Sequence, residues 1–406
     1  MKTPQSLFSI SGIQRGAVLI MVLWLIVVLS VMAYSLSYEV RIGLKMTSQA
    51  QKRVQAQALA RIGLAKAVMD LRNDRLIAMA NQGQNTDTPD EPWAQNEDKT
   101  DLEVGDHGMY NVRIVDEERK INVNMFHMAN VGGLIYLLEE VGDIKEDEAY
   151  KIAHAVIDFA DPDLIPSTNE GSDEIEYYTE WGLEEYGDQL PAGWSFRPKN
   201  DIYIHVEELM EIPGITREVL YGEMGDKKVP IDPFVRIDEG EELPVLADYL
   251  TAGSVNRVNL NTCSLTVLEA MLSSATEMGT DARGAAEKID DLRQGLLEMG
   301  DEGASGITNP RQLADAGLDE TTVQTLETVF PLGVSSYFYT ILTRGEYKGV
   351  RQTYKVLVNV TMESYNIDED NPDTFGKRDH RASGLLRDQP LVKVDPAVRV
   401  VRIEEM

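Results

Sequence analysis

The sequence predicts an α+β protein in which one long N-terminal helix, apolar in its first half, packs on an antiparallel sheet. A large helical insertion interrupts the strands of that sheet. Three observations predict it. A run of 22 residues without charge, AVLIMVLWLIVVLSVMAYSLSY, extends from Ala17 to Tyr38. Apolar residues then continue at helical spacing to about residue 80, with no proline on the way. Two-residue alternation marks strands near residue 110 and again after 335, and the roughly 215 residues between them are too many for a loop.

The apolar run sets the first element. At about 1.5 Å of rise per residue it crosses a hydrocarbon core of roughly 30 Å. Lys2 and Arg15 precede it, the leader MKTPQSLFSISGIQRG is polar, and Arg15-Gly16 stands at the polar-to-apolar border, followed by Ala17. Two other readings of the run stay open. One is a secretory signal with Val31 and Ala33 as its small-x-small site and Tyr34 as the new start, although the apolar core is long for it. The other is a plain uncleaved anchor with its N-terminus inside. Beyond the run, Val54, Ala58, Ile62, Ala65, Met69 and Leu76 recur at spacings of three, four or seven. That places them on one helical face, so the helix is expected to leave the membrane and continue in water as an amphipathic one. Counted from Ala17 it would reach roughly 95 Å.

The head follows. Residues 81–101, with QGQNTDTPDEPWAQNEDKT at their centre, read as a polar connecting loop. GMYNVRIVDEE, 108–118, alternates as a strand. SSYFYTILTRGEYKGVRQTYKVLVNVTME holds two alternating runs about a Gly-containing turn, Gly345 to Gly349, and predicts a hairpin. VDPAVRVVRIEE adds a short strand near the end, and residues 363–392, rich in Asp, Asn, Arg and Gly, separate it from the hairpin.

Inside the insertion a weak duplication is visible. KINVNMFHMANVGGLIYLLEEVG (120–142) and RVNLNTCSLTVLEAMLSSA (257–275) both place Asn-x-Asn before an apolar-periodic helix, with Asn124 and Asn261 expected as N-caps. Each half continues to a second helix with a tight turn, VEELMEIPGITREVL (206–220) and PRQLADAGLDETTVQTL (310–326). Two SAM-like or helix-hairpin-helix-like modules are therefore expected, at about 120–225 and 255–332. The IPGI turn, Ile212 to Ile215, resembles the hairpin signature that brings backbone N–H groups to a DNA phosphate. A membrane-anchored DNA-binding protein is thus a second class to weigh, but Glu207, Glu208, Glu211 and Glu218 surround the turn and only Arg217 opposes them. Repulsion from a phosphate backbone should win, and Gly214 is then simply the residue that closes the hairpin.

Charge sharpens this. The net charge is -30; residues 1–80 carry +7, which leaves -37 on residues 81–406. Such a field repels nucleic acid and acidic lipid and invites divalent cations. Cys263, the lone cysteine, has no internal partner for a disulfide and is expected to be a small buried side chain. The acids concentrate between the two modules: Asp158, Asp161 and Asp163 in DFADPD, then Asp173, Glu174 and Glu176 after Gly171. Hard oxygen donors without His or Cys argue for calcium over zinc, but on spacing alone a solvated acidic loop comes ahead of a calcium site. The spacing is not that of an EF-hand, because counting from Asp161 puts Pro166 at the required Gly and Ser172 at the closing Glu. An enzyme is disfavoured. The five histidines (107, 127, 154, 205, 380) are scattered, no nucleophile motif is present, and no Gly-rich phosphate loop follows a strand.

With these residues in view the chain resembles the type IV pilin and pseudopilin family, in which a prepilin peptidase cuts at such a border. The series DEERKINVN, DFADPD, GSDEIEYY, PKN, EELMEIPGI and VNLNT resembles, more narrowly, the minor pseudopilin K family of type II secretion systems over about residues 12 to 360. The resemblance implies a type IV pilin-like fold divided into a leader (1–16), a transmembrane half-helix (17–38) and an amphipathic half (39–80). The pilin-like head would then comprise 81–119 and 333–406, around the insertion at 120–332. It implies cleavage after Gly16, N-methylation of Ala17, a single-pass position in the bacterial inner membrane and a head in the periplasm. Pilins usually carry Glu at the fifth mature position; here it is Met21, as in the K family, which suits the tip of a filament better than its shaft. A type IV pilus minor pilin, which would keep that Glu, is the alternative. Calcium is implied as a structural ion, with ligands among Asp158, Asp161, Asp163, Asp173 and Glu174. The family's Gly-Ala-Glu-Asp is Gly171-Ser172-Asp173-Glu174 here, which keeps the oxygens and changes their reach. The implied partners are the other minor pseudopilins and the major pseudopilin, the prepilin peptidase, the inner-membrane assembly platform and exoprotein substrates. The Val54 to Leu76 face is expected to pack within that complex.

Overall fold

In the structure, a computed structural model, the described residues are 12–80, 85–96, 99–168, 170–222, 245–254, 257–275, 281–296, 306–366 and 392–405. One helix, α1 (Gly12–Ala80, 69 residues), accounts for the whole N-terminal part. At about 1.5 Å per residue it is about 100 Å long. Its most apolar window has a mean hydropathy of 2.6 and no buried residue, so it is long and apolar enough to cross a membrane. Residues 12–16 already belong to the helix, and the rest of the expected leader lies outside the described residues.

The second half of α1 lies on a five-stranded sheet of order β1-β2-β7-β8-β9, all neighbours antiparallel. These are β1 (Leu102–Val104), β2 (Gly108–Asp116), β7 (Phe338–Tyr347), β8 (Val350–Asn366) and β9 (Val392–Glu405); β3 to β6 belong to the insertion. The hairpin and the C-terminal strand are present, and the strand expected at 108–118 ends at Asp116, where Glu117–Arg119 turn into a 3₁₀ helix. The hairpin turn is tighter than expected. It consists of Lys348 and Gly349, both at positive φ (49° and 78°), which is the backbone that matches the twist of paired strands. Gly345 stands instead within β7, where a Cβ would collide with the backbone of Ala56 and Ala60 on α1. Helix and sheet approach so closely because the contacting residues are small.

The helix face against the sheet is Ala56, Ala60, Gly63, Ala67, Leu71 and Arg75, all buried. It covers Val112, Ile114, Ile341, Val356 and Val358, with Trp93 and Tyr339 closing the far end. The predicted apolar stripe lies on the opposite side. Val54, Ile62, Met69 and Leu76 are 61%, 45%, 59% and 40% exposed, and Ala58 and Ala65 are exposed as well. Residues 54–76 are therefore apolar on two opposed faces, a departure from the single amphipathic face expected.

The insertion is a duplicated unit. In the first copy β3 (Ile121–Asn122) leads through α2 (Val131–Glu140), α3 (Glu146–Ala160) and α4 (Glu174–Tyr186). A 3₁₀ turn (Val206–Glu211), α5 (Arg217–Tyr221) and β4 (Leu250–Thr251) follow, and β4 pairs in parallel with β3. In the second, β5 (Val258–Asn259), α6 (Leu265–Ala275), α7 (Ala282–Arg293), a 3₁₀ turn (Pro310–Ala314) and α8 (Glu320–Val329) end in β6 (Leu332–Gly333), parallel to β5. The Asn-x-Asn pairs hold equivalent places, but Asn124 and Asn261 are not helix N-caps. Asn122 Oδ1 accepts from Asn124 N–H, and Asn259 Oδ1 from Asn261 N–H, each at 3.0 Å. The second Asn of each pair then clamps a distant backbone residue by donating and accepting at once: Asn124 with Tyr203 (3.0 and 2.7 Å), Asn261 with Ile307 (2.9 and 2.7 Å). Tyr203 and Ile307 each precede the 3₁₀ turn of their copy, so an amide side chain does in both copies what a short strand would do. The two copies share one hydrophobic core, in which α2 packs on both α3 and α6.

Candidate metal centre

Among the described residues, what distinguishes the first copy from the second is α4 and the acidic loop before it, 161–168 and 170–173, set between α3 and the 3₁₀ turn. α3 ends at Ala160 because Asp161, its C-cap, turns extended (φ -72°, ψ 161°). α4 starts where Asp173 Oδ1 accepts from Glu176 N–H at 3.0 Å, a helix N-cap. The loop is drawn together by Glu174 N–H donating to Leu164 O at 3.1 Å, and Gly171 turns it at φ 83°.

Three carboxylates converge there. Asp158, Asp161 and Glu174 each present an oxygen within 4.8 Å of the others. Asp158 and Glu174 are fully buried. Asp158 Oδ2 accepts from Tyr178 Oη (2.6 Å) and Ser167 N–H (2.9 Å), which fixes the carboxylate and leaves Oδ1 facing the cluster. Asp158 Oδ1, Asp161 Oδ1, both oxygens of Glu174 and Ser167 Oγ are buried with no hydrogen-bond partner. Burial pushes the Glu174 carboxyl up to about 8, and the charges of Asp158, Asp161, Asp163 and Asp173 add to it. Burial, then Asp158 and Asp163, raise Asp161 to about 6; Asp158 is also raised by burial, against its bonds from Tyr178 and Ser167. Five orphaned oxygens in a buried, like-charged group are costly unless protons or a cation neutralise them.

The donor set fits calcium: oxygen only, carboxylate-rich, and spread over a helix end, a loop and a helix start. Of the five expected ligand residues, Asp158, Asp161 and Glu174 form this cluster. Asp163 and Asp173 lie beside it, each with one oxygen committed to a backbone N–H, Asp163 to Ile165 (2.8 Å) and Asp173 to Glu176. Tyr178, the residue that holds Asp158, escaped the sequence reading although it stands one turn beyond Glu174 on the same helix face. Ser167 escaped it too, and no spacing marks it.

A second acidic group, Asp74, Asp87 and Glu91, has oxygens equally close. It differs in holding its own cation: Arg75 donates to both oxygens of Asp87 at 2.7 and 2.9 Å and lies 3.5 Å from Asp74. The other residues singled out in the sequence are ordinary. Cys263 is buried just before α6, with its thiol pushed up to about 11 by burial. His205 Nδ1 lies 3.0 Å from Arg402 Nη1. Gly214 closes its turn at φ 90° against Tyr186 and Ile152, flanked by a 3₁₀ turn and a five-residue helix in place of two full helices.

No family model and no curated protein matches the chain. Among solved structures, a chain of the GspK-GspI-GspJ complex from the type 2 secretion system of enterotoxigenic Escherichia coli is similar. The match covers 91% of this chain and 99% of that one, at 16% identity and a TM-score of 0.47.

Proposed function

We propose that the protein is a minor pseudopilin of a type II secretion system, placed at or near the tip of the filament. The observation that carries this reading is α1. One unbroken helix joins an apolar segment of membrane-spanning length to a half that is apolar on two sides, one covered by the sheet and one exposed. The exposed stripe from Val54 to Leu76 is suited to a neighbouring subunit's helix at a period that both helices share. Met21 leaves this subunit without a carboxylate in the apolar segment, so it neither needs nor offers an ion pair there. The role is mechanical: the bulk of the duplicated insertion on the head obstructs addition of a further subunit above it. Partners on this reading are the other minor pseudopilins, the major pseudopilin, the assembly platform, the peptidase that removes residues 1–16, and the exported protein. The head would then stand in the periplasm.

We further infer that calcium is a structural component, held by Asp158, Asp161 and Glu174, with Asp163, Asp173 and Ser167 at its margin. It would supply the positive charge that the buried oxygens lack. The reading is tested on protein extracted from membranes of a cell that carries the processing enzyme. Intact mass should correspond to an N-methylated chain beginning at Ala17. A chain beginning at Tyr34, or one that keeps Met1, would sink it.

A further inference from the structure

The insertion leaves the sheet after Asp116 and returns before Phe338, and both crossings meet at one buried polar joint. Arg75 of α1 donates to Asp87, to the hydroxyl of Tyr339 at 2.7 Å and to Ser336 O. Asp87 accepts in turn from the Tyr339 hydroxyl at 2.6 Å and from Ser336 N–H. Asp116 Oδ2, at the end of β2, accepts from Ser336 Oγ (2.7 Å), Thr262 Oγ1 (2.5 Å) and Asn259 Nδ2 (3.3 Å), the last two from the insertion. Glu118 receives Arg257 of the insertion at 2.8 and 3.0 Å and Tyr337 N–H at 2.6 Å. On the head side Glu91 accepts from Trp93 Nε1 at 2.5 Å, and its carboxylate stands within 4.8 Å of those of Asp74 and Asp87.

Five carboxylates, Asp74, Asp87, Glu91, Asp116 and Glu118, therefore face only two guanidinium groups, Arg75 and Arg257, among the described residues. The other charged groups nearby are engaged elsewhere. Glu117 is held below its usual range, against burial, by Lys120 and by bonds from Thr340 and Thr251, with Lys355 near. Asp70, one turn before Asp74, faces Lys66 at 2.6 Å and Lys99 at 4.0 Å.

We propose that this joint is a proton-held latch: protons taken up by Asp74, Glu91 and Asp116 clamp the insertion to the head, and their loss at higher pH loosens it. Geometry supplies the excess of acid, and the titration follows it. Burial and Asp87 raise Asp74 to about 6, against Arg75. Burial and Asp74 raise Glu91 to about 7, against the bond from Trp93. Burial raises Asp116 to about 7, against its bonds from Ser336 and Thr262. All three lie above the ordinary carboxylate range, so their contribution to stability is complete below about pH 4 and is lost as pH rises through 6 to 7. The inference stands on this joint alone and does not depend on the secretion reading.

The test uses the full chain in detergent, melted between pH 5 and 8.5, as wild type, Glu91→Gln and Asp116→Asn. The metal centre's titration is common to all three and cancels in the comparison. Wild type should lose roughly 2 °C more than Glu91→Gln between pH 6 and 8. Exchange of backbone amides at 85–96 and 333–339, corrected for intrinsic chemistry, should quicken over the same range in wild type. Glu91 is half-buried, so its amide variant decides the matter if Asp116→Asn does not fold. Parallel melting profiles together with unchanged exchange at the joint would overturn the latch.

Discussion

Glu174 is fully buried, and neither of its carboxylate oxygens has a hydrogen-bond partner. With its carboxyl pushed up to about 8, the metal-free protein at neutral pH must hold a proton on it or bear an unpaired charge. Glu174→Gln removes that cost and also removes a hard ligand. In chelator at pH 7.5 the variant should be more stable than wild type by about 1–3 kcal/mol in urea melts. Its stabilisation by calcium should fall to the level of a buffer control. A variant that is less stable in chelator, or that keeps the calcium response, would place the cation elsewhere. The sequence makes the acidic loop plain but not which acids converge, since the choice depends on what each oxygen is already doing. Part of that was legible. Asp173 followed three residues later by Glu176 at a helix start is an N-cap pattern, and an N-cap spends an oxygen on a backbone donor. The direction of Asp158 was not legible, because Tyr178, which sets it, is twenty residues away in sequence.

The same distinction operates at the level of the helix. From Val54 onward α1 carries apolar residues on both sides, so period alone identifies two faces and cannot rank them. Size ranks them: the sheet takes the face of Ala56, Ala60, Gly63 and Ala67, where Thr343 Oγ1 can reach Ala60 O at 2.8 Å, and leaves the bulkier stripe outside. Close approach of helix to sheet demands small side chains, whereas packing between subunits accepts large ones. Paired substitutions separate the roles. Ala60→Leu forces a branched side chain into the helix–sheet contact and should cost about 1–3 kcal/mol in the isolated protein. Ile62→Lys, on the exposed stripe, should change that stability by less than about 0.5 kcal/mol. On the proposed function it should nevertheless reduce co-purification with minor pseudopilin partners and lower secretion. Equal loss of stability in both variants would mean that the stripe is internal to this subunit, and normal co-purification of Ile62→Lys would remove it from the subunit interface.

In the whole molecule, duplication explains why the proposed calcium would serve one copy and not the other. Among the described residues the second copy has no helix between α7 and its 3₁₀ turn, and its polar clamps are the pair Asn261–Ile307 and Arg293, which donates to Leu260 O and Cys263 O at 3.1 and 2.6 Å. The first copy repeats that clamp in Asn124–Tyr203 but must also anchor α4, whose start lies against the end of α3 through acids. The duplication is visible in the sequence through Asn-x-Asn. The reason for it is not, because the backbone partners Tyr203 and Ile307 lie 79 and 46 residues downstream. On the calcium proposal, removing the ion should therefore act on one copy. Amide exchange in chelator should quicken at 158–178, where Asp158, Ser167 and Tyr178 share bonds across the loop, and should stay unchanged at 258–275 in the second copy. The aromatic contacts of Tyr178 with Phe196 (4.9 Å) and Trp181 (6.2 Å) carry the loosening into the first copy's core. Trp181 fluorescence should shift with it. Exchange that quickens equally in both copies would mean that the shared core transmits the change throughout the insertion, and the metal would then hold the two copies as one body.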